Sequence, residues 1–220
     1  MDPQILYEDD SLVVINKPAG IIVHPDKSHD YPALTEWLEK RYKDFYLVHR
    51  IDRETSGVLV VAKTTEAFEF LKSQFKNREI KKTYRAFVYG ALKDERGVID
   101  KPIGSGRGGS GPRSASLPHG TTRDALTAYR VIKNGPDTAY VEVFPKTGRT
   151  HQIRVHFSSI QHPIICDSLY APNRPALLGF NRLALHALSL SFTHPSGKEM
   201  TFEAPLPEDF KAAEGQLRLV

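Results

Sequence analysis

An aspartate flanked by two arginines is the part of this sequence best suited to do chemistry. Asp52 stands between Arg50 and Arg53, and the Thr-Ser-Gly turn that follows leads into the apolar, β-branched run 58–62. Arginine side chains favour the charged form of a nearby carboxyl group, and an ionised, partly desolvated aspartate can act as a nucleophile or as a base. From this segment alone, a surface ion pair between Asp52 and a turn or helix remains an open alternative.

Three other patterns look like functional motifs but lack the context that those motifs need. The glycine-rich run 104–109 fits Gly-x-Gly-x-x-Gly, but proline and serines follow it where a dinucleotide-binding site would begin a helix. The segment 49–52 resembles the His-Arg-Asp loop of kinases, but its aspartate is one place too late and no Asp-Phe-Gly follows. His151 and His156 are five residues apart and share no helical face, so the histidines predict no metal site.

The bulk composition is that of one globular domain. The chain has 220 residues, of which 40% are hydrophobic and 25% charged. Its net charge of +4 permits a polyanionic partner without requiring one. Cys166 is the single cysteine, which excludes an intramolecular disulfide and a cysteine-based zinc site. With no pattern typical of a signal peptide, we expect a cytoplasmic protein with a reduced, buried cysteine.

Hydrophobic periodicity predicts the elements that would position Asp52. Leu34, Trp37, Leu38 and Tyr42 recur at helical spacing, which predicts an amphipathic helix over about 33–43. A second helix is predicted from Phe68, Leu71 and Phe75, and a short third one within 147–156. Strands are predicted at 5–7, 12–15, 21–23, 58–62, 83–90, 126–132, 139–144, 183–192 and 200–202. Many strands and few helices indicate an α+β fold with a large mixed sheet.

Two polar segments stand out from the rest of the sequence. The run 72–85 is the densest basic patch, and it could contact phosphates, although a solvated helix face is an equal alternative for any single lysine. The stretch 104–123 is rich in Gly, Ser, Pro and Arg, and it predicts a mobile loop. Its arginines are at positions 107, 113 and 123.

Five blocks of sequence, in order, resemble the motifs of the RluA-type pseudouridine synthases. The resemblance extends from about residue 5 to residue 204. It depends on the aspartate motif 49–57, the N-terminal loop motif 16–20, the Lys-x-x-Tyr strand 81–86, the third motif 145–156 and the late strand 183–187. Two departures are a cysteine at position 166, where relatives commonly have glycine, and the unmatched loop 104–123. The resemblance implies a mainly antiparallel sheet with flanking helices and loops and a central catalytic cleft.

The resemblance also implies a role for each site residue. Asp52 would be the essential carboxylate that acts at the nucleoside, and Arg154 would pair with it, with a phosphate contact as the alternative for Arg154. Tyr84 would pack its ring on the flipped uracil, and Ile153 would press on the base from another side; either could instead be an ordinary core residue. Arg50 would enter the vacated stack or contact the displaced nucleotide, unless it is a solvated surface arginine.

The same resemblance predicts the substrate, partners and extent of the enzyme. It implies an RNA uridine as the target, in large-subunit ribosomal RNA or transfer RNA, with no cofactor or metal. We expect one catalytic domain over 1–220, without a separate N-terminal RNA-binding module, that acts as a monomer. Two alternatives from other classes are a non-catalytic RNA-binding or chaperone module on the same fold and a glycosidase that would use Glu54 as its second acid.

Overall fold

The computed structural model describes residues 2–25, 31–105, 112–116 and 119–218. Within them the chain is mostly strand, with helices of 6 to 13 residues. The elements in chain order are β1 (Gln4–Glu8), β2 (Leu12–Lys17), α1 (Leu34–Glu39), β3 (Tyr46–Leu47), β4 (Ser56–Ala62), α2 (Thr65–Asn77), β5 (Lys81–Tyr89), β6 (Arg96–Asp100), β7 (Ile103–Ser105), β8 (Arg113–Ser114), β9 (His119–Arg123), β10 (Leu126–Asn134), β11 (Thr138–Pro145), α3 (Gln152–Ser159), β12 (Leu185–Thr193), β13 (Glu199–Glu203) and α4 (Glu208–Arg218). None of the helices in these ranges has the length and apolar character needed to span a membrane.

The chain divides into two compact units. The first unit contains residues 1–82 and 186–205, and the second contains residues 83–185 and 206–220. In the first unit the strand order is β1-β2-β4-β12, with β3 beside β4 and β13 beside β12. In the second unit the order is β5-β11-β10-β6, all antiparallel, and a separate small sheet has the order β8-β7-β9.

The central strand of the first unit, β4, is buried along its whole length. It is antiparallel to β2 and parallel to β12. Because both of its faces are buried, its sequence is a continuous apolar run rather than an alternating one. The helix α2 follows at once, and the Thr64 hydroxyl caps it by accepting a hydrogen bond from the Ala67 N–H at 3.2 Å. Arg78 ends α2 in the left-handed conformation. The aspartate motif therefore leads directly into a strand that is buried along its whole length.

Gly57 is required by the closeness of β4 to β12. Its φ of +119° lies in a region that residues with side chains rarely adopt. A Cβ atom added at Gly57 would lie 2.1 Å from the backbone oxygen of Ala187, so any side chain would push the two strands apart. The glycine of the Thr-Ser-Gly turn is thus needed where the turn meets the parallel strand pair.

The second unit has a helix against each face of its sheet. On one face, Tyr129 of β10 contacts Phe157 of α3, with ring centroids 5.4 Å apart. On the other face, Phe87 of β5 stacks on Tyr140 of β11 at 4.3 Å, and Phe210 of α4 packs edge-on to Phe87. Helix α4 is absent from the sequence-based predictions, although Phe210, Ala213 and Leu217 recur at helical spacing and are buried.

The α+β class with a mixed, mainly antiparallel sheet is confirmed, whereas three local predictions were wrong. The strand predicted at 21–23 does not form, and Ile22 makes only an isolated bridge to Ala33. The helix predicted over 33–43 ends at Glu39, because the Leu38 carbonyl accepts the N–H groups of both Arg41 and Tyr42 in a closing turn. The described part of the predicted mobile loop 104–123 forms the sheet β8-β7-β9, in which backbone pairing requires little apolar surface. Residues 106–111 and 117–118 lie outside the described residues. The central cleft stays a prediction.

Candidate active site

Asp52 lies on a tight turn that precedes β4. The Thr55 N–H donates to the Asp52 carbonyl at 3.1 Å, and Asp52 itself is half-buried between the buried Ile51 and Thr55. Arg53 pairs with Glu54 at 2.7 Å and places its guanidinium 3.9 Å from the centre of the Tyr31 ring. Glu54 is therefore engaged with its own neighbour, which weakens the glycosidase alternative.

A buried lysine links this turn by hydrogen bonds to the N-terminal loop motif 16–20. Lys17 is fully buried at the end of β2, and its ammonium donates to the carbonyls of Pro18 at 2.8 Å, Ile21 at 3.0 Å and Arg53 at 3.1 Å. The Gly20 N–H donates to the same Arg53 carbonyl at 2.9 Å. A buried cation needs such a set of oxygens, because the desolvation cost is otherwise several kcal/mol. The carbonyl of Arg53, the residue next to Asp52, thus accepts hydrogen bonds from both the Lys17 ammonium and the Gly20 N–H.

We expect Lys17→Met to disturb the Asp52 turn without removing a group that touches substrate. Three carbonyls lose a buried donor, which should lower the free energy of unfolding by ~1–3 kcal/mol. A small displacement of Asp52 should lower single-turnover rates by roughly 10- to 100-fold. Denaturant unfolding measures the first effect, and a single-turnover assay of the activity that the family resemblance implies measures the second. Lys40→Met, at an exposed position, is the control. Wild-type values for both quantities in Lys17→Met would contradict this role.

His49 anchors the start of the aspartate motif to β4. Its Nε2 accepts the Val60 N–H at 3.1 Å. Val60 lies in β4 between the residues that pair with β12 and those that pair with β3. Its ring stacks on Phe75 of α2, with centroids 4.7 Å apart. Burial, with a further contribution from the positive charge of Lys82, lowers the pKa of His49 to about 3. The ring is therefore neutral at physiological pH, which is the state that can accept a hydrogen bond at Nε2.

A buried side-chain pair anchors the other end of the motif. The Ser56 hydroxyl and the His186 Nδ1 are 2.8 Å apart, and both residues are buried. The His186 Nε2 lies 3.3 Å from the Ala204 carbonyl oxygen. With Lys17 and His49, this pair fixes the backbone on both sides of Asp52. The late strand block 183–187 thus contributes support for the turn, a role that its sequence did not reveal.

Tyr84 and Ile153 belong to one hydrophobic cluster of the second unit. Tyr84 is half-buried on β5, opposite Val143 of β11, and it packs against the cluster that contains the buried Ile153 of α3. The third motif fixes α3 through the buried Gln152. Its Oε1 accepts the Thr147 hydroxyl at 2.6 Å and the Arg149 N–H at 3.0 Å. The start of α3, and with it Ile153, is therefore rigidly placed.

Arg154 forms a two-point ion pair that the sequence analysis did not anticipate. Its Nε donates to Oδ2 of Asp167 and its Nη2 donates to Oδ1, both at 2.8 Å. The Asp167 side chain is fully buried, and its Oδ1 also accepts the N–H groups of Leu169 and Tyr170 at 3.0 Å. Asp167 therefore sets the orientation of the Arg154 guanidinium. The pairing of Arg154 with Asp52 stays a prediction.

The basic run 72–85 does not present one uniform cationic face. Lys72 pairs with Glu69 at 2.9 Å, and Arg85 pairs with Glu142 at 2.9 Å. Lys82 is half-buried, and burial lowers its pKa to about 8. The side chains of this run therefore differ in how readily they could bind a phosphate, and Arg85 already has a carboxylate partner.

Each unit thus holds one group of the predicted site residues. The first unit places the exposed Arg50 and the half-buried Asp52 on one anchored loop. The second unit places Tyr84, Ile153 and Arg154 on β5 and α3. An anchored, half-buried aspartate on an α+β fold fits the class of enzymes that act through a single fixed carboxylate.

Comparisons with known proteins identify the family within that class. The family model described as RNA pseudouridylate synthase matches residues 11–159. The chain is 39% identical, over 95% of its length and 71% of the relative, to the uncharacterized RNA pseudouridine synthase YlyB of Bacillus subtilis. It is 36% identical, over 93% of its length and 70% of the relative, to the ribosomal large subunit pseudouridine synthase D of Blochmanniella floridana. The solved structure of human RNA pseudouridylate synthase domain containing 4 superposes with a TM-score of 0.80 at 29% identity, covering 98% of this chain and 93% of that one.

The chain belongs to the RNA pseudouridylate synthase family, whose members are isomerases that convert uridine in RNA to pseudouridine. The RluA-type resemblance of the five sequence blocks is thereby confirmed.

Proposed function

We propose that this protein isomerises a uridine of large-subunit ribosomal RNA to pseudouridine, with Asp52 as the catalytic carboxylate. The observation that carries the proposal is the anchoring of the Asp52 turn by Lys17, His49 and Ser56. Such multiple anchoring is what a reacting group needs, because small displacements of a catalytic atom are costly. A pure RNA-binding module would not need a fixed acid at this position.

The proposed reaction exchanges one glycosidic bond for another. The bond between N1 of uracil and C1′ of the ribose breaks, the base turns, and a bond forms between C5 and C1′. C5 then loses its proton and N1 gains one, so the product is an isomer of the substrate and nothing is consumed. Asp52 would act at the nucleoside either by attack on the sugar, by attack on the base or by taking a proton from the sugar.

The target uridine must leave its stack before Asp52 can reach it. Extrusion of a base from a helix costs a few kcal/mol, and less in a loop that is already unpaired. Arg50, which is exposed on the same loop as Asp52, would enter the vacated stack or contact the displaced nucleotide. Tyr84 would cover one side of the flipped uracil, and Ile153 would press on it from another. Both side chains come from the same rigid cluster, which suits a pocket for a flat base.

Arg154 would hold Asp52 in its charged form and in one orientation. A guanidinium suits this role because it can donate to two carboxylates through different N–H groups. Nε and Nη2 of Arg154 donate to Asp167. We propose, as the family resemblance implies, that Arg154 also pairs with Asp52.

The choice of large-subunit ribosomal RNA comes from the relative that is named for acting on the ribosomal large subunit. We expect pseudouridine mapping of total RNA to show at least one position in the large-subunit RNA that is modified only in cells that produce this protein. A cell that lacks the protein, and the same cell supplied with the Asp52→Ala variant, are the controls. If the only position to change lies in transfer RNA, the proposed target is wrong while the proposed chemistry stands. A cytoplasmic, monomeric enzyme remains our prediction.

A further inference from the structure

One face of the sheet in the second unit is open near its edge strand and carries a row of charges. In register across β6, β10, β11 and β5, Arg96 lies opposite Arg130, Arg130 opposite Glu142, and Glu142 opposite Arg85. Glu142 pairs with Arg130 at 2.7 Å and with Arg85 at 2.9 Å. The row therefore has three arginines around one carboxylate, a net charge of two positive units.

The outermost arginine of this row has no acidic partner among the residues that the structure describes. Arg96 is exposed, and the residue directly opposite it on the neighbouring strand is Arg130, whose side chain is 50% exposed. Like charges directly opposite each other on adjacent strands destabilise a sheet slightly. An anion bound between the two guanidinium groups would remove that repulsion. The row thus has the chemistry of an anion site. Its guanidinium donors come from two neighbouring strands, which lie about 4.8 Å apart.

Beside the charged row, two residues further along the same strands, lies an apolar strip. It consists of Val98, Ala128 and Phe144, which are opposite one another in register. Val98 is 63% exposed, which is unusual for a large aliphatic side chain on a sheet, and Phe144 is half-buried. With Arg96, Arg130 and Glu142, this strip lines an open depression of about 600 Å³. We call these six residues the open face.

We propose that the open face binds a single-stranded segment of RNA that flanks the modified nucleotide. A cationic row beside an apolar, partly aromatic strip is the combination that holds single strands, with phosphates on the cations and bases against the apolar surface. This inference rests on the protein acting on RNA, as its family does. A second copy of the chain fits less well, because two faces of the same positive charge would repel each other.

The open face is distinct from the proposed uracil pocket. Successive residues of a strand point to opposite sides of the sheet, so Arg85 is on the face opposite to that of Tyr84. Ile153 belongs to α3, which packs on the Tyr84 side through Tyr129 and Phe157. RNA on the open face is thus not the target nucleotide, and substitutions there leave the residues assigned to the reaction unchanged.

The test uses an RNA that cannot occupy the uracil pocket. An oligoadenylate of about 12 nucleotides has no uridine, and its length is within the range that one such surface covers. We expect Arg96→Ala with Arg130→Ala to weaken its binding at least tenfold and, for two lost phosphate contacts, to lower the slope of log K against log salt by about 1.4. Phe144→Leu keeps apolar volume but removes the ring, and it should weaken binding several-fold. Lys198→Ala with Lys211→Ala removes two exposed charges elsewhere and is the matched control.

Binding and turnover separate this inference from the proposed function. Pseudouridine formation in a short stem-loop without flanking strands should be equal in the wild type and the double arginine variant at saturating RNA. Absence of oligoadenylate binding by the wild type, or equal weakening by the lysine control, would overturn the open face as an RNA site and leave the proposed reaction untouched. Sedimentation that shows an oligomer which the double arginine variant disperses would assign the face to a second copy instead. Failure of the wild type to modify any RNA would count against the proposed function alone.

Discussion

Replacement of Asp52 by asparagine or alanine is expected to abolish pseudouridine formation while RNA binding changes by no more than a few-fold. The turn around Asp52 is fixed by backbone and neighbouring side-chain contacts, so the shorter or neutral side chain should leave the loop in place. Loss of an essential reacting group typically costs at least about 10⁴-fold in rate. The measurement is single-turnover pseudouridine formation with enzyme in excess, together with a direct RNA-binding titration of each variant.

Glu54 provides the matched control for Asp52. It is a carboxylate two residues away on the same turn, and it is paired with Arg53 at 2.7 Å. Glu54→Gln should retain most of the activity, because its charge is already used in a local ion pair. Near-normal turnover in Asp52→Asn would eliminate the carboxylate mechanism and favour a binding module. A large loss of turnover in both Asp52→Asn and Glu54→Gln would instead support a mechanism with two acids.

The chemistry of the Asp52 segment could be predicted from the sequence because its signals are local. An acid between arginines, a turn with glycine and a β-branched run are all visible within fourteen positions, from His49 to Ala62. The anchoring of that segment was not predictable. Lys17 is a fully buried lysine, against the ordinary preference of this residue for the surface, and it acts through a carbonyl 36 residues away.

Backbone conformation accounts for further differences between the predicted and the observed structure. Cys166 stands where the family resemblance led us to expect a glycine, and its φ of +57° lies in the left-handed region that favours glycine. The sequence showed the departure but not the strain that it introduces.

Similarly, the segment 104–123 has little apolar surface, so its composition predicted a loop. Its described parts pair through their backbones, which composition does not report, and Ile103 with Ala125 and Val155 forms a small core beneath them.

Arg154→Met is expected to lower both stability and activity, and the two losses have different origins. The substitution leaves Asp167 as a fully buried carboxylate without its cation, which should cost ~3–5 kcal/mol of unfolding free energy. If Arg154 also orients Asp52, the turnover rate of the fully folded variant should be lower than that of the fully folded wild type. Denaturant unfolding gives the stability, and single-turnover rates at a temperature where the variant is fully folded give the activity.

A second substitution separates the two roles of Arg154. Asp167→Asn, added to the Arg154→Met variant, removes the unpaired buried charge but keeps an oxygen that can accept the Leu169 and Tyr170 N–H groups, as Oδ1 of Asp167 does. Stability should therefore recover in the double variant. Activity should stay low, because neither of the two new side chains can hold the Asp52 carboxylate. Recovery of turnover together with stability would show that Arg154 serves the fold through Asp167 alone, and that Asp52 takes its orientation only from the turn that Lys17, His49 and Ser56 hold in place.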